Sequence, residues 1–81
     1  MSAPQGSLQD AIQSLLATVL GVDPRPGEIR RAECAQWDSL KHVEIVFALE
    51  DLYGIQFDES EFPRLDSASS IAALVESRLA A

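Results

Sequence analysis

The chain has little of three things: cysteine, basic residues and long apolar runs. Its one cysteine, Cys34, has no second cysteine to pair with, which favours a reducing, cytoplasmic setting. No apolar run of about 18 residues and no signal-peptide pattern occurs, so neither membrane spanning nor secretion is expected. The 6 Lys and Arg stand against 13 Asp and Glu, a formal net charge of -7. Binding of nucleic acid, which needs clustered cations, is therefore not expected.

Length bounds the function further. A single domain of 81 residues buries only about 60–65% of the surface that its unfolded chain exposes, so a deep enzyme cleft is not expected. The one histidine, His42, has no neighbouring ligands at spacings that suggest a metal site. The acidic balance points instead to basic protein partners.

The acidic charge is concentrated in one part of the chain. Residues 38–66 contain eight acids against two bases, whereas residues 1–37 contain four acids against three arginines. The excess begins with the segment that follows Trp37.

Apolar periodicity predicts three main helices, over residues 8–20, 39–53 and 68–79. The second is apolar on more than one side, which predicts a central position in the fold. The predicted N-cap is Ser7 for the first helix, Asp38 for the second, and Ser67 or Asp66 for the third. The first two helices are predicted to end at Gly21 and Gly54.

The connections differ in kind. Residues 21–37 include two prolines, which predicts a long first loop. Residues 55–57 alternate like a strand, but no other segment could pair with them, so they predict an extended connector whose apolar side chains fill the core. Residues 58–65 predict at most a short helix broken by Pro63. The expected fold class is all-α: a small four-helix bundle with three main helices, one short helix and a long first loop. Residues 1–6 are expected to be a flexible N-terminus before a single domain over 7–81.

Ser39 is the first candidate for chemistry. It directly follows the predicted cap Asp38, in a first helical turn whose free N–H groups and dipole favour a phosphate. Taken alone, the local pattern favours simple capping of the helix by both residues, because such pairs are common at helix starts. A hydrolase using Ser39 with His42 is disfavoured, because the sequence offers neither a cleft nor an oxyanion hole.

A longer pattern around Ser39 resembles the acyl carrier proteins. It consists of Asp38-Ser39-Leu40, then Val43 and Glu44, the run Ala48-Leu49-Glu50, and the connector Ile55-Gln56-Phe57. The order of helices, long first loop and acidic segment also matches, over roughly residues 7–79. The resemblance implies that Ser39, between Asp38 and Leu40, carries 4′-phosphopantetheine. A phosphopantetheinyl transferase would donate this cofactor from coenzyme A, and its thiol would hold acyl or aminoacyl cargo as a thioester.

The resemblance also implies the partners. In that family the acidic second helix docks on basic patches of the enzymes that load and process cargo, and the matching residues are Glu44, Phe47, Glu50 and Asp51. The protein would then be a cytoplasmic monomer that catalyses nothing itself and binds neither nucleic acid nor membrane. The alternative is an arm-free helical interaction module that binds a basic partner through the same acidic helix.

Three departures from the family pattern bear on the pathway. Trp37, Gln36 and Lys41 replace residues usual in housekeeping fatty-acid carriers, which favours specialised, polyketide-like metabolism. Packing of Trp37 on the core and contact with a partner are both open from the sequence. His42 is expected to be an exposed, solvated residue.

Overall fold

The computed structural model describes residues 7–23 and 27–80, so the predicted N-terminus over residues 1–6 lies outside it. The described chain is helical, with an isolated β-bridge between Arg30 and Ser67 and no strand in those two ranges, which confirms the all-α prediction. The elements in chain order are α1 (Ser7–Leu20), a first 3₁₀ helix (Arg31–Glu33), α2 (Ser39–Tyr53), a second 3₁₀ helix (Glu59–Arg64) and α3 (Ala68–Ala80).

The first helix lies on both other α-helices and buries one stripe. Ile12 and Leu16 are fully buried, and α1 ends at Gly21, whose φ of 70° lies in the left-handed region that glycine tolerates best. The N–H of Val22 then donates to the carbonyl of Ala17 at 3.0 Å and closes the end of the helix. The predicted stop is confirmed, while the capping role proposed for the Ser7 side chain lies outside the described residues.

The second helix is not buried all round, so the prediction of a central helix is wrong. Ile45, Val46 and Leu49 are fully buried on one face. Leu40 and Phe47 are 68% and 62% exposed on the other. The apolar residues on two sides of α2 therefore form one face that packs in the core and one apolar face that lies on the surface.

The long first loop is fastened to α1 and to the start of α3. The Gln13 amide donates to the carbonyl of Gly27 and accepts from the N–H of Ile29, both at 2.9 Å, and Ile29 is fully buried. The N–H of Arg31 donates to the carbonyl of Asp66 at 2.8 Å. These bonds fix the path of the loop over residues 27–31, just before and into the first 3₁₀ helix.

The second 3₁₀ helix begins with a capping box formed by Asp58 and Glu61 and continues one residue past Pro63. It is short, as predicted, but the proline does not break it. The Glu61 carboxylate also pairs with Arg78 of α3, whose guanidinium lies 5.9 Å from the centre of the Phe57 ring. This contact joins the connector before the short helix to α3.

Glu28 of the loop caps α3 from a distance of 41 residues in sequence. One carboxylate oxygen accepts from the N–H of Ser69 at 2.8 Å, and the other accepts from Arg30 at 3.1 Å. The hydrogen bond from the Ser69 backbone lowers the pKa of Glu28 below its ordinary value of 4.5, with Arg30 adding a smaller effect. At Glu61, the bond from Arg78 is the main reason that the pKa is lowered.

The lowered pKa of Glu28 predicts a specific loss of stability in acid. Because its folded pKa lies below its unfolded value, the stabilisation is complete above pH 4.5 and disappears as the pH falls through the folded pKa. We expect Glu28→Gln to be less stable than the wild type at neutral pH, with a difference that shrinks below about pH 4.5. Urea unfolding at a series of pH values measures this. Glu76→Gln, at an exposed position of α3, is the control, and a pH-independent difference for Glu28→Gln contradicts the prediction.

Candidate functional site

The site is built on the start of α2. Asp38 is the N-cap: its side-chain oxygen accepts from the N–H of Lys41 at 2.9 Å, and its backbone carbonyl accepts from the N–H of His42 at 2.9 Å. The predicted cap is thereby confirmed, and Ser39 is the first residue of the helix. The Asp38 carboxylate thus stabilises the turn that presents Ser39.

Ser39 is open to solvent, as are Asp38 and Leu40 on either side. The N–H groups of a first helical turn lack carbonyl partners within the helix, and the helix dipole is positive there. A negatively charged group on the Ser39 oxygen would therefore be stabilised electrostatically. This exposure also leaves the Ser39 hydroxyl accessible to a separate enzyme.

A buried pair of rings lies beneath this turn. Trp37 is 3% exposed and its indole Nε1–H donates to Nδ1 of His42 at 2.9 Å. His42 is 6% exposed, and its Nε2 lies 2.8 Å from the carbonyl oxygen of Phe62. Trp37 therefore packs on the core, which decides between the two uses left open by the sequence. The expectation that His42 is solvated is wrong.

The partners of His42 define its protonation. An indole N–H can only donate and a carbonyl oxygen can only accept, so Nδ1 carries the lone pair and Nε2 carries the proton. Both ring nitrogens therefore have a hydrogen-bond partner. One sequence signal indicates its burial: position 42 lies three, four and seven residues before the core positions 45, 46 and 49.

The outward side of α2 carries an apolar stripe beside two acids. Leu40, Val43 and Phe47 are exposed at helical spacing from the first turn, and Glu44 and Asp51 are exposed next to them at about 100° per residue. We call these five residues the α2 surface. The structure therefore brings two of the three acids expected to contact partners together with Phe47.

The third acid has a different environment. Glu50 is half-buried, and its carboxylate accepts from the N–H of Phe57 at 2.9 Å, which fixes the connector that leaves α2. Lys41 lies 3.5 Å from Glu44 as an exposed ion pair. Part of the acidic charge near Ser39 is thus balanced within the helix itself.

Within residues 7–23 and 27–80, no group of three His, Cys, Asp or Glu side chains is placed to hold a metal ion. None of the described helices is both long and apolar enough to cross a bilayer.

Similarity to known proteins agrees with this geometry. No family model matches the chain. It is 28% identical over 79 residues, 95% of this chain and 98% of the relative, to a protein of Thermosynechococcus vestitus named acyl carrier protein. It is 40% identical over 43 residues, 53% of this chain and 49% of the relative, to acyl carrier protein 3 of Ralstonia nicotianae. Both names describe carriers rather than enzymes. The resemblance found in the sequence is confirmed: this helical chain is similar to proteins named acyl carrier protein.

Proposed function

We propose that the chain carries acyl or aminoacyl cargo as a thioester on a 4′-phosphopantetheine arm attached to Ser39. The main support is the exposed position of Ser39 directly after the Asp38 cap, in a chain similar to acyl carrier proteins over 79 residues. When bound, the cofactor supplies the thiol on which the thioester forms. Asp38 and Leu40 flank the attachment point and are equally accessible to the transferase.

The residues present fit this group. In the attachment step the Ser39 oxygen would give its proton to a base of the transferase and bond to the pantetheine-side phosphorus of the coenzyme A diphosphate, and adenosine 3′,5′-bisphosphate would leave with the bridging oxygen. The resulting phosphodiester charge would lie at the positive end of α2. The Asp38 carboxylate is already bonded to the N–H of Lys41, so it keeps the turn formed before and after attachment.

The α2 surface is the proposed contact with partner enzymes. Glu44 and Asp51 would attract basic patches of a phosphopantetheinyl transferase and of cargo-loading and cargo-processing enzymes, and Phe47 would supply apolar contact beside the arm. Glu50 is a weaker candidate for direct contact, because its carboxylate holds the connector. Exposed charges of this kind give fast, salt-sensitive association, which suits a carrier that visits several enzymes.

The pathway proposed from the departures at Trp37 and Lys41 is specialised, polyketide-like metabolism in the cytoplasm. The Lys41–Glu44 ion pair supports partners other than those of housekeeping fatty-acid carriers, because it lowers the net negative charge next to Ser39. Burial removes Trp37 from direct partner contact. We further propose that the carrier is monomeric.

The attachment is tested by incubating the unmodified protein with coenzyme A and a broad-specificity phosphopantetheinyl transferase and measuring the intact mass. We expect a gain equal to one phosphopantetheine group, located by proteolysis on the peptide that contains Ser39. Absence of any gain would overturn the proposal. It would favour the arm-free interaction module, whose binding to a basic partner would be salt-sensitive and unaffected by Ser39→Ala.

The partner contact predicts a salt-dependent defect. We expect the double variant Glu44→Gln and Asp51→Asn to raise the KM of the transferase for the carrier about fivefold at low ionic strength, since surface charge mainly speeds encounter. The defect should shrink at about 0.5 M salt, where screening is strong. Glu76→Gln on α3 is the matched control. A KM equal to that of the control at low salt contradicts the role of the two acids.

A further inference from the structure

Trp37 and His42 occupy two special positions around the start of α2. With Asp38 as N-cap, Trp37 is the residue before the cap and His42 is the fourth residue of the helix. Apolar side chains at these two positions often pack together and set the direction from which the chain enters a helix. Here a 2.9 Å hydrogen bond joins the two side chains, whose ring centroids are 6.0 Å apart. The bridge encloses residues 38–41, the segment that contains Ser39.

The bridge is anchored to a second part of the fold. Nε2 of His42 bonds to the carbonyl of Phe62, 20 residues later in the second 3₁₀ helix, at 2.8 Å. The backbone N–H of Trp37 donates to the carbonyl of Cys34 at 3.1 Å, which holds the backbone at Trp37 to the end of the first loop. Both rings are almost fully buried. Rotation of either ring would leave buried polar atoms unpaired, so the arrangement has one strongly preferred geometry.

The exposed residues of the turn have no such restraint. Ser39 and Leu40 lie on the surface, and within residues 7–23 and 27–80 the Asp38 side chain forms a hydrogen bond only with the N–H of Lys41, at the start of its own helix. The buried side chains of Trp37 and His42 therefore help to fix the position of this turn relative to the rest of the domain. Their side chains do not reach solvent, so they act on Ser39 through the backbone.

We propose that Trp37 and His42 are positioning residues, which hold the turn around Ser39 in the one conformation that the phosphopantetheinyl transferase binds. This inference rests on the proposed attachment at Ser39. Binding of the carrier by the transferase would then depend on a buried hydrogen-bonded pair as well as on surface residues of the carrier.

Three variants test the pair. Trp37→Phe keeps an aromatic ring and removes the N–H donor, and His42→Leu removes both bonds of the imidazole. His42→Gln offers an amide oxygen that can accept from Trp37 and an N–H that can donate to the carbonyl of Phe62. Steady-state phosphopantetheinylation is measured at a temperature at which circular dichroism shows every variant to be folded.

We expect Trp37→Phe and His42→Leu to raise the KM for the carrier about fivefold, which corresponds to about 1 kcal/mol, with a smaller change in kcat. His42→Gln should restore most of the wild-type KM. Val75→Ala is the control, because it removes buried methyl groups in α3 and lowers stability while leaving both hydrogen-bonding side chains of the pair in place. KM values for Trp37→Phe and His42→Leu equal to that of Val75→Ala would overturn the inference.

A second readout separates this inference from the proposed function. If the wild type is modified and the variants behave like the control, the positioning role alone fails. If the wild type is not modified, the proposed function fails, and with it the role of the pair in modification. Hydrogen exchange at the amides of Lys41 and His42, which donate to Asp38, then tests the restraint itself: exchange faster in Trp37→Phe than in Val75→Ala supports it, and equal exchange overturns it.

Discussion

Replacement of Ser39 by Ala is expected to abolish phosphopantetheinylation completely under conditions that convert the wild type. The change removes the only oxygen of that side chain, so no phosphodiester can form at the start of α2. Stability should change by less than about 0.5 kcal/mol, because the residue is exposed and the cap belongs to Asp38. Intact mass measures modification, and urea unfolding measures stability.

A serine of similar exposure provides the control for that experiment. Ser60 lies on the surface of the second 3₁₀ helix, and Ser60→Ala should be modified as fast as the wild type. A mass gain in Ser39→Ala would place the attachment at another residue. Loss of modification in both variants would point to a general defect rather than to the attachment site.

Local sequence features predicted the frame of the site well. Asp38 and Gly54 were expected to begin and end the second helix, and the structure places them at those positions with a capping bond at 2.9 Å and a φ of 65°. Such signals depend on neighbouring residues alone, which is why they can be read from a sequence. The accessibility of Ser39 follows from the same local geometry.

Contacts between distant residues were not predicted. The burial of His42 depends on the carbonyl of Phe62, 20 residues away. The predicted cap Ser67 is confirmed, since its oxygen accepts from the N–H of Ser70 at 3.2 Å, but the additional cap on α3 from Glu28, 41 residues before Ser69, was not predicted. A polar side chain on a core face is stable only when the fold supplies such partners, and helical periodicity does not show them. The same limitation applies to Glu50: the sequence groups it with the surface acids, whereas in the structure its carboxylate accepts from the N–H of Phe57.

The two faces of α2 also separate residues that look alike in sequence. Leu49 is fully buried, whereas Leu52, three residues later, is 59% exposed. Truncating a buried leucine removes transfer free energy and leaves a cavity, while an exposed leucine loses little. Apolar content alone therefore does not tell which leucines hold the domain together.

We expect Leu49→Ala to lower the free energy of unfolding by about 2–5 kcal/mol and Leu52→Ala to lower it by less than about 0.5 kcal/mol. A domain of this length has roughly 4–12 kcal/mol in total, so the first change removes a large share and a part of the population unfolds at physiological temperature. Urea titration followed by circular dichroism measures both values. Similar losses for the two leucines would contradict the assignment of one core face and one surface face to α2. With that assignment, Leu52→Ala leaves the turn around Ser39 intact, and its modification should proceed at the wild-type rate.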